Sequence, residues 1–381
     1  MTTTWRGLTW DHPRGFNALD QAARAASAQG TVSIAWETQP LEGFESAPIA
    51  DLCSRYDLVV LDHPHVGEAV EAGCLYSMEE VFGDEVLKRL EQDTVGPCLS
   101  SYRFAGKHWA LPLDAASQVM ALRPDLLPAP PPRHWDDVMA LVDSDVAVAA
   151  SIAGPHAILS FFSICAALGD PPAVDDPDRL VSLEAGRKAY EILARIARSM
   201  PEEARPLNPI GLLDLMTRKD SVALCPLVYG YVNYTNPATG FKLLQFHNAP
   251  CLAGGNPKGT LGGTGIGISR RCRPGKALKE HVLWLMSKTV QCEFLPAHDG
   301  QPSRRDAWRD REVNAASGNF YLNTLETLEH AYVRPRHSGY IAFQTAASAA
   351  LRDGFDNHSG ADAMLDHLQQ LYTASRNGGE R

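Results

Sequence analysis

A chain of 381 residues exceeds the roughly 250 to 300 at which a single hydrophobic core stops growing, so two domains are expected. Its 45% hydrophobic and 21% charged residues are the balance of a globular protein and exclude a disordered or fibrous chain. The formal net charge of -10, with no cluster of Lys and Arg, argues against nucleic acid and against an anionic membrane surface as partners.

The start, Met1 to Pro13, has neither the basic n-region nor the apolar h-region of a secretory signal. A cytoplasmic protein is the expectation from this, the alternative being a periplasmic protein whose leader has been removed. No stretch approaches the roughly 18 consecutive apolar residues of a spanning helix, so no membrane insertion is expected. The eight cysteines (Cys53, Cys74, Cys98, Cys165, Cys225, Cys251, Cys272 and Cys292) lack C-x-x-C spacing and read as reduced, largely buried thiols.

In chain order, Leu8-Thr9 leads into Trp10-Asp11-His12-Pro13-Arg14-Gly15, where Pro13 and Gly15 end a strand before a helix containing Ala22 to Ala28. Thr31 to Trp36 is β-branched and aromatic. Tyr56 to Leu61 is a continuous apolar run, a strand covered on both faces, and it ends in Asp62-His63-Pro64-His65. Alternation of strand and helix predicts a doubly wound parallel sheet, with ligand residues beyond the carboxyl ends of its strands. Helix follows around Met78 to Gln92. Tyr102 to Leu113 reads as a hairpin about Ala105-Gly106 entering a crossing strand.

The Pro-rich Leu127 to Pro132 predicts a surface turn before a helix at Trp135 to Val142. Helices are expected at Phe161 to Leu168, Leu183 to Ser199 and Leu212 to Thr217, then a strand at Val222 to Val228. Thr260 to Ser269 is Gly-rich and β-branched, a strand returning across a hinge. Helices at Lys276 to Val290, Leu322 to Val333 and Ile341 to Arg352 complete the reading. There is no internal repeat, and no low-complexity tail beyond a few polar residues at the end.

Three segments carry a resemblance. Gly106-Lys107-His108-Trp109-Ala110-Leu111-Pro112-Leu113-Asp114, Gly262-Gly263-Thr264-Gly265-Ile266-Gly267-Ile268-Ser269, and Gly300-Gln301-Pro302-Ser303-Arg304-Arg305 with Trp308 resemble, in order and spacing, motifs of the family 1 (sugar-type) extracellular solute-binding proteins of bacterial ABC transporters. The resemblance implies an α/β fold of the type II periplasmic-binding-protein kind, with a hinge and an interlobe ligand cleft. Its lobes would comprise residues 1–113 plus 260–310, and 114–259 plus 311–381. It implies a monomer that closes two lobes on a small sugar-like or organic-acid ligand and hands it to an ABC permease, without a cofactor.

Ligand-contacting candidates are the aromatic residues Trp10, Trp109, Tyr229, Tyr231 and Tyr234, whose flat rings suit the apolar face of a sugar, although core packing explains them equally. Asp11-His12-Pro13 and Asp62-His63-Pro64 repeat one tripeptide at two strand ends, where Asp could orient His. The competing reading is a turn in which Asp caps and Pro begins a helix. His65, Asp114, Gly263, Thr264, Ser303, Arg304 and Arg336 complete the set, the arginines as forks for a carboxylate or phosphate. His63-x-His65 offers two metal ligands at strand spacing but no third, so no metal is assigned.

The alternative function is a cytoplasmic enzyme or ligand sensor derived from the same scaffold, with His12, Asp62, His63 and Cys225 as catalytic candidates. Type I thiaminases, which share the fold, use a cysteine as nucleophile; the rival reading of Cys225 is a buried inert thiol. Glycines 262, 263, 265 and 267 do not form G-x-G-x-x-G at a helix start. No P-loop, G-x-S-x-G or H-E-x-x-H motif is present.

Overall fold

The computed structural model describes residues 4–127, 130–235 and 241–377. Pro128 and Ala129, within the expected Pro-rich turn, and the last four residues of the polar end lie outside these. The chain divides into two compact units. Met1–Ala115, Gly262–Val313 and Arg336–Ser338 make the first; Ala116–Leu261, Asn314–Pro335 and Gly339–Arg381 make the second.

In the first unit, β1 (Thr4–Trp10) pairs in parallel with β2 (Ser33–Gln39) and with β3 (Leu58–Leu61), giving the order β2-β1-β3. Every residue of β3 is buried, as a continuous apolar run requires, whereas β2 is largely open along its length, as befits a strand at the sheet edge. On its other side β3 meets β9 (Leu261–Ile268) antiparallel, Leu58 opposite Ile268 and Leu61 opposite Gly265. The expected all-parallel sheet is therefore corrected to a mixed one. An apolar run buried on both faces has the same composition in either direction, so it does not encode strand polarity.

The helix Pro13–Ala28 starts where Pro13 presets its first turn and His12 caps it, the imidazole Nδ1 accepting from the Arg14 N–H at 3.1 Å. It buries Ala18, Leu19, Ala22, Ala23 and Ala26 along one stripe. The helical stretches expected around Met78 to Gln92 are Met78–Phe82 and Asp84–Asp93, parted at Gly83, whose φ of 82° no helix continues through. β4 (Arg103–Phe104) and β5 (Lys107–His108) form the anticipated hairpin, turning on Ala105 (φ 48°) and Gly106 (φ 80°).

The helix from Lys276 ends at Leu285 and not Val290. A wide turn, Val290–Phe294, follows because the Gln291 side chain is drawn inward. Its Nε2 donates to the Leu285 carbonyl at 2.9 Å, and its Oε1 accepts from the Ser303 N–H at 2.7 Å. A buried amide is stable only when bonded in this way.

Arg336–Ser338, expected with the second lobe, clusters with the first unit. The Arg336 guanidinium donates to the Ser100 and Ser101 carbonyls at 3.2 and 3.0 Å, and Gly67 leaves room for the Arg336 carbonyl.

In the second unit the latter part of β6 (Leu111–Leu122) pairs antiparallel with β7 (Leu224–Tyr229) and β8 (Gln245–His247). A bulge between Val119 and Ala121 shifts the register, so Gln118 faces Tyr229. The helix His156–Ala167 is buried on all sides and packs on Tyr340–Asp356; Leu183–Ser199 and Ala361–Asn377 cover the same layer. One buried polar cluster is mutually satisfied. Gln118 donates to Ser160 and accepts from Ser163, whose hydroxyl meets Thr260 at 2.9 Å. This network fixes the segment that feeds β9.

Candidate functional site

The first cluster is built where β1 ends. Trp10, its last residue, is 3% exposed, and its ring lies parallel to the His12 imidazole at 5.0 Å. The Arg14 guanidinium sits 5.8 Å from the Trp10 ring centre. From there Arg14 reaches Asp114 near the start of β6, with Nε to Oδ2 at 2.7 Å and Nη2 to Oδ1 at 2.5 Å. Both side chains are almost wholly buried, so this is a bidentate ion pair inside the protein.

Burial first, and the nearby Arg14 cation second, push the His12 pKa down to about 4. The ring is therefore neutral at pH 7. Because Nδ1 accepts from the Arg14 N–H, the proton resides on Nε2, making that atom a hydrogen-bond donor. Asp11, by contrast, is exposed, and its backbone N–H closes onto the Gln39 carbonyl. The expected Asp11–His12 dyad is corrected accordingly: His12 and not Asp11 caps the helix.

The second cluster lies where β3 ends. Here the Asp carboxylate does meet its neighbour, Asp62 Oδ1 accepting from the His63 N–H at 2.8 Å with His63 Nδ1 3.1 Å away. His63 is fully buried, edge-on to Tyr102 at 6.4 Å. His65 is also buried, its Nδ1 4.0 Å from Glu68, beyond hydrogen-bond range. Among the described residues no group of three His, Cys, Asp or Glu side chains is placed to hold a metal ion.

Trp109 packs against the core around Tyr102 and Ala110 and donates from Nε1 to the Phe104 carbonyl at 2.9 Å. In β9, Gly263 has φ 87° and Thr264 is buried.

Three candidates from sequence hold the fold together. Ser303 donates to the Pro112 carbonyl at 2.5 Å, Arg304 pairs with Asp93 and Asp306, and Arg336 is bonded to carbonyls as described. Each of the three is thus held by partners within the first unit. The motif around them is a latch along β6: Gln301 bonds the Ala115 carbonyl at 2.8 Å and the Trp308 indole bonds the Pro302 carbonyl at 2.7 Å.

In the second unit Tyr229, at the end of β7, is half-buried; its hydroxyl donates to the Leu261 carbonyl at 3.4 Å, and His156 stands edge-on to it at 6.0 Å. Tyr231 is buried and meets Tyr234 edge-on at 6.4 Å. Tyr234 itself is tied to Asp214 at 2.9 Å, and burial raises its pKa well above the usual phenol range.

Cys225 is completely buried, its thiol directed to the Leu227 carbonyl at 3.4 Å, and burial pushes its pKa up to about 12. Such a thiol carries almost no thiolate at neutral pH. The nucleophile reading of Cys225 is accordingly set aside.

Sequence reasoning overlooked Arg14, Tyr102 and His156. A signal existed for Arg14. A cation in the first turn of a helix opposes the helix dipole, so it is stable there only with a carboxylate partner, which Asp114 supplies.

No protein-family model and no curated protein sequence matches the chain. Solved structures do. An ABC transporter solute-binding protein from Agrobacterium radiobacter K84 in complex with ribitol superposes with a TM-score of 0.80 at 20% identity over 98% of both chains. Maltose-bound MalE3 of T. maritima gives 0.79 at 16% identity over 97% of this chain and 99% of that one. A solute-binding protein from Agrobacterium vitis S4 with bound D-mannitol gives 0.76 at 16% identity over 99% of each. The chain thus has the α/β fold of the periplasmic-binding-protein type found in ABC-transporter solute-binding proteins. Among the described residues no helix is long and apolar enough to cross a membrane.

Proposed function

We propose that this protein is a solute-binding protein for a sugar or sugar alcohol. The observation that carries the reading is the Trp10–His12 ring pair beside the buried Arg14–Asp114 pair, at the carboxyl end of β1, in a fold whose solved examples hold ribitol, maltose and D-mannitol. A polyol presents C–H faces and ranks of hydroxyls. Aromatic rings suit the former, and a neutral imidazole donor with an adjacent carboxylate and guanidinium suits the latter. Within the second unit taken by itself, Tyr229 and His156 are an aromatic and a polar group of similar chemistry. Transfer of ligand to an ABC permease, as a monomer working outside the cytoplasm, belongs to the same proposal. The catalytic alternative loses its nucleophile with the burial of Cys225.

The test is calorimetry with ribitol, D-mannitol, maltose and tagatose on the wild type and on Trp10→Ala. At least one should bind with one-to-one stoichiometry and lose most of its affinity in the variant, because the ring that backs the His12 imidazole is removed. Binding by organic acids alone, with every sugar and polyol silent, would overturn the ligand class. Cell fractionation that leaves the protein wholly cytoplasmic would overturn the transport role.

A further inference from the structure

A cavity of about 300 Å³ opens within the first unit between the helices Pro13–Ala28 and Lys276–Leu285, a volume at the lower end of the range for small-ligand pockets. The helix Pro13–Ala28 contributes only methyl groups to it, from Ala22, Ala25 and Ala26, and these leave open the space that longer side chains would fill. The facing wall is aromatic. His281, 8% exposed, stacks with Trp284 at 5.6 Å between ring centres, and Phe294 from the wide turn stands edge-on to Trp284, also at 5.6 Å. Trp284 is nonetheless 40% exposed, an apolar surface left to solvent at the mouth of the cavity. Burial pushes the His281 pKa down to about 4, so the ring is neutral at pH 7, and its buried Nε2 has no hydrogen-bond partner within the protein. An imidazole left in that condition gains from any ligand group that bonds to it. No Lys or Arg is among the described lining residues, and Glu280 stands at the rim, so an aromatic acid finds no counter-charge there.

We propose that this cavity is a binding site for a small, uncharged, planar aromatic molecule bearing a hydroxyl group, a phenol or naphthol in chemical class. The ring lies against the alanine methyls, which admit a flat body, and meets the His281 and Trp284 rings edge-to-face or offset, the arrangements that aromatic pairs favour. The hydroxyl bonds to the His281 imidazole. Because a hydroxyl both donates and accepts, it matches the neutral ring in either tautomer. This site is separate from the cluster at the end of β1: Ala22 lies about 15 Å along the helix from His12 at 1.5 Å per residue. The inference stands on the cavity's own walls and does not depend on the sugar reading.

The experiment titrates the full-length protein at pH 7 with 2-naphthol, naphthalene and 2-naphthoate by equilibrium dialysis. In the wild type 2-naphthol should bind one-to-one with a Kd below about 1 mM, and 2-naphthoate should not bind measurably. Ala25→Leu fills the cavity from an exposed position of a helix that leucine suits, and should abolish binding while the protein stays folded. Trp284→Ala, also at the surface, should weaken 2-naphthol and naphthalene alike, by about tenfold. His281→Phe should weaken 2-naphthol by about fivefold and leave naphthalene unchanged, because only the hydroxyl loses its partner. No saturable binding of 2-naphthol, affinity indifferent to Ala25→Leu and Trp284→Ala, or tighter binding of 2-naphthoate each overturns the proposal. Should His281→Phe fail to fold, the nitrogen chemical shifts of the His281 ring in the wild type decide instead. Movement on adding 2-naphthol supports the hydrogen bond, and unmoved shifts overturn it.

Discussion

The guanidinium of Arg14 holds the carboxylate of Asp114 through two parallel hydrogen bonds, 2.7 and 2.5 Å long, joining the first turn of the N-terminal helix to the start of β6. Removing one member strands the other charge away from water. Asp114→Ala should therefore lower stability by about 3 kcal/mol, whereas the joint change Arg14→Met with Asp114→Leu, which removes both charges, should cost less. Denaturant melts of the single and double variants measure this. A double variant as destabilised as Asp114→Ala, or more so, would contradict it.

Acid sensitivity follows from His12. Its folded pKa of about 4 lies below the ordinary 6.5, so between these values the unfolded chain binds a proton that the folded chain refuses. Stability from this group is complete above pH 6.5 and falls as the pH drops toward 4, by about 3 kcal/mol in all. His12→Asn keeps an N-cap acceptor but cannot titrate. Its stability should vary less with pH across that window, by up to about 1.4 kcal/mol per unit. Unchanged slopes in urea melts at pH 4.5, 5.5 and 6.5 would refute the assignment. Because the imidazole caps the helix, His12→Ala should cost about 1 kcal/mol at neutral pH.

Gly67 leaves no space for a methyl group. A Cβ there would lie 1.7 Å from the Arg336 carbonyl oxygen, a backbone atom that cannot swing aside. Gly67→Ala should destabilise the first unit by about 3 kcal/mol or more, while Gly360→Ala, where a Cβ meets nothing within 4 Å, should stay within about 0.5 kcal/mol. Equal melting temperatures for the two variants would be incompatible with this packing.

Much of the fold is legible in the residues, and for physical reasons. The bounds Trp135–Val142 and Leu183–Ser199 agree with the periodic apolar stripes, and Ser182 caps the latter through a bond to the Ala185 N–H. β8, only three residues long, is too short for its alternation to be read, and the final helix Ala361–Asn377 escaped notice among its charged residues. The site was half legible. The end of β1 at Trp10 and the helix start after His12 were readable, because punctuation by Pro and Gly marks where a strand stops. The partner of a polar side chain is invisible in sequence: nothing near Ser303 announces the Pro112 carbonyl, and nothing near Arg336 announces Ser100.

The first unit is assembled from three separated stretches, the last of them only Arg336–Ser338. On a ribosome adding about 5–20 residues per second, ten seconds or more elapse between the emergence of Ala115 and that of Arg336. Before Ile268 has emerged β3 has no β9 beside it, and the buried apolar run Leu58–Leu61 keeps one edge open. Nascent chains must therefore be shielded through most of translation, and truncated products ending before Gly262 should be the aggregating species in cells.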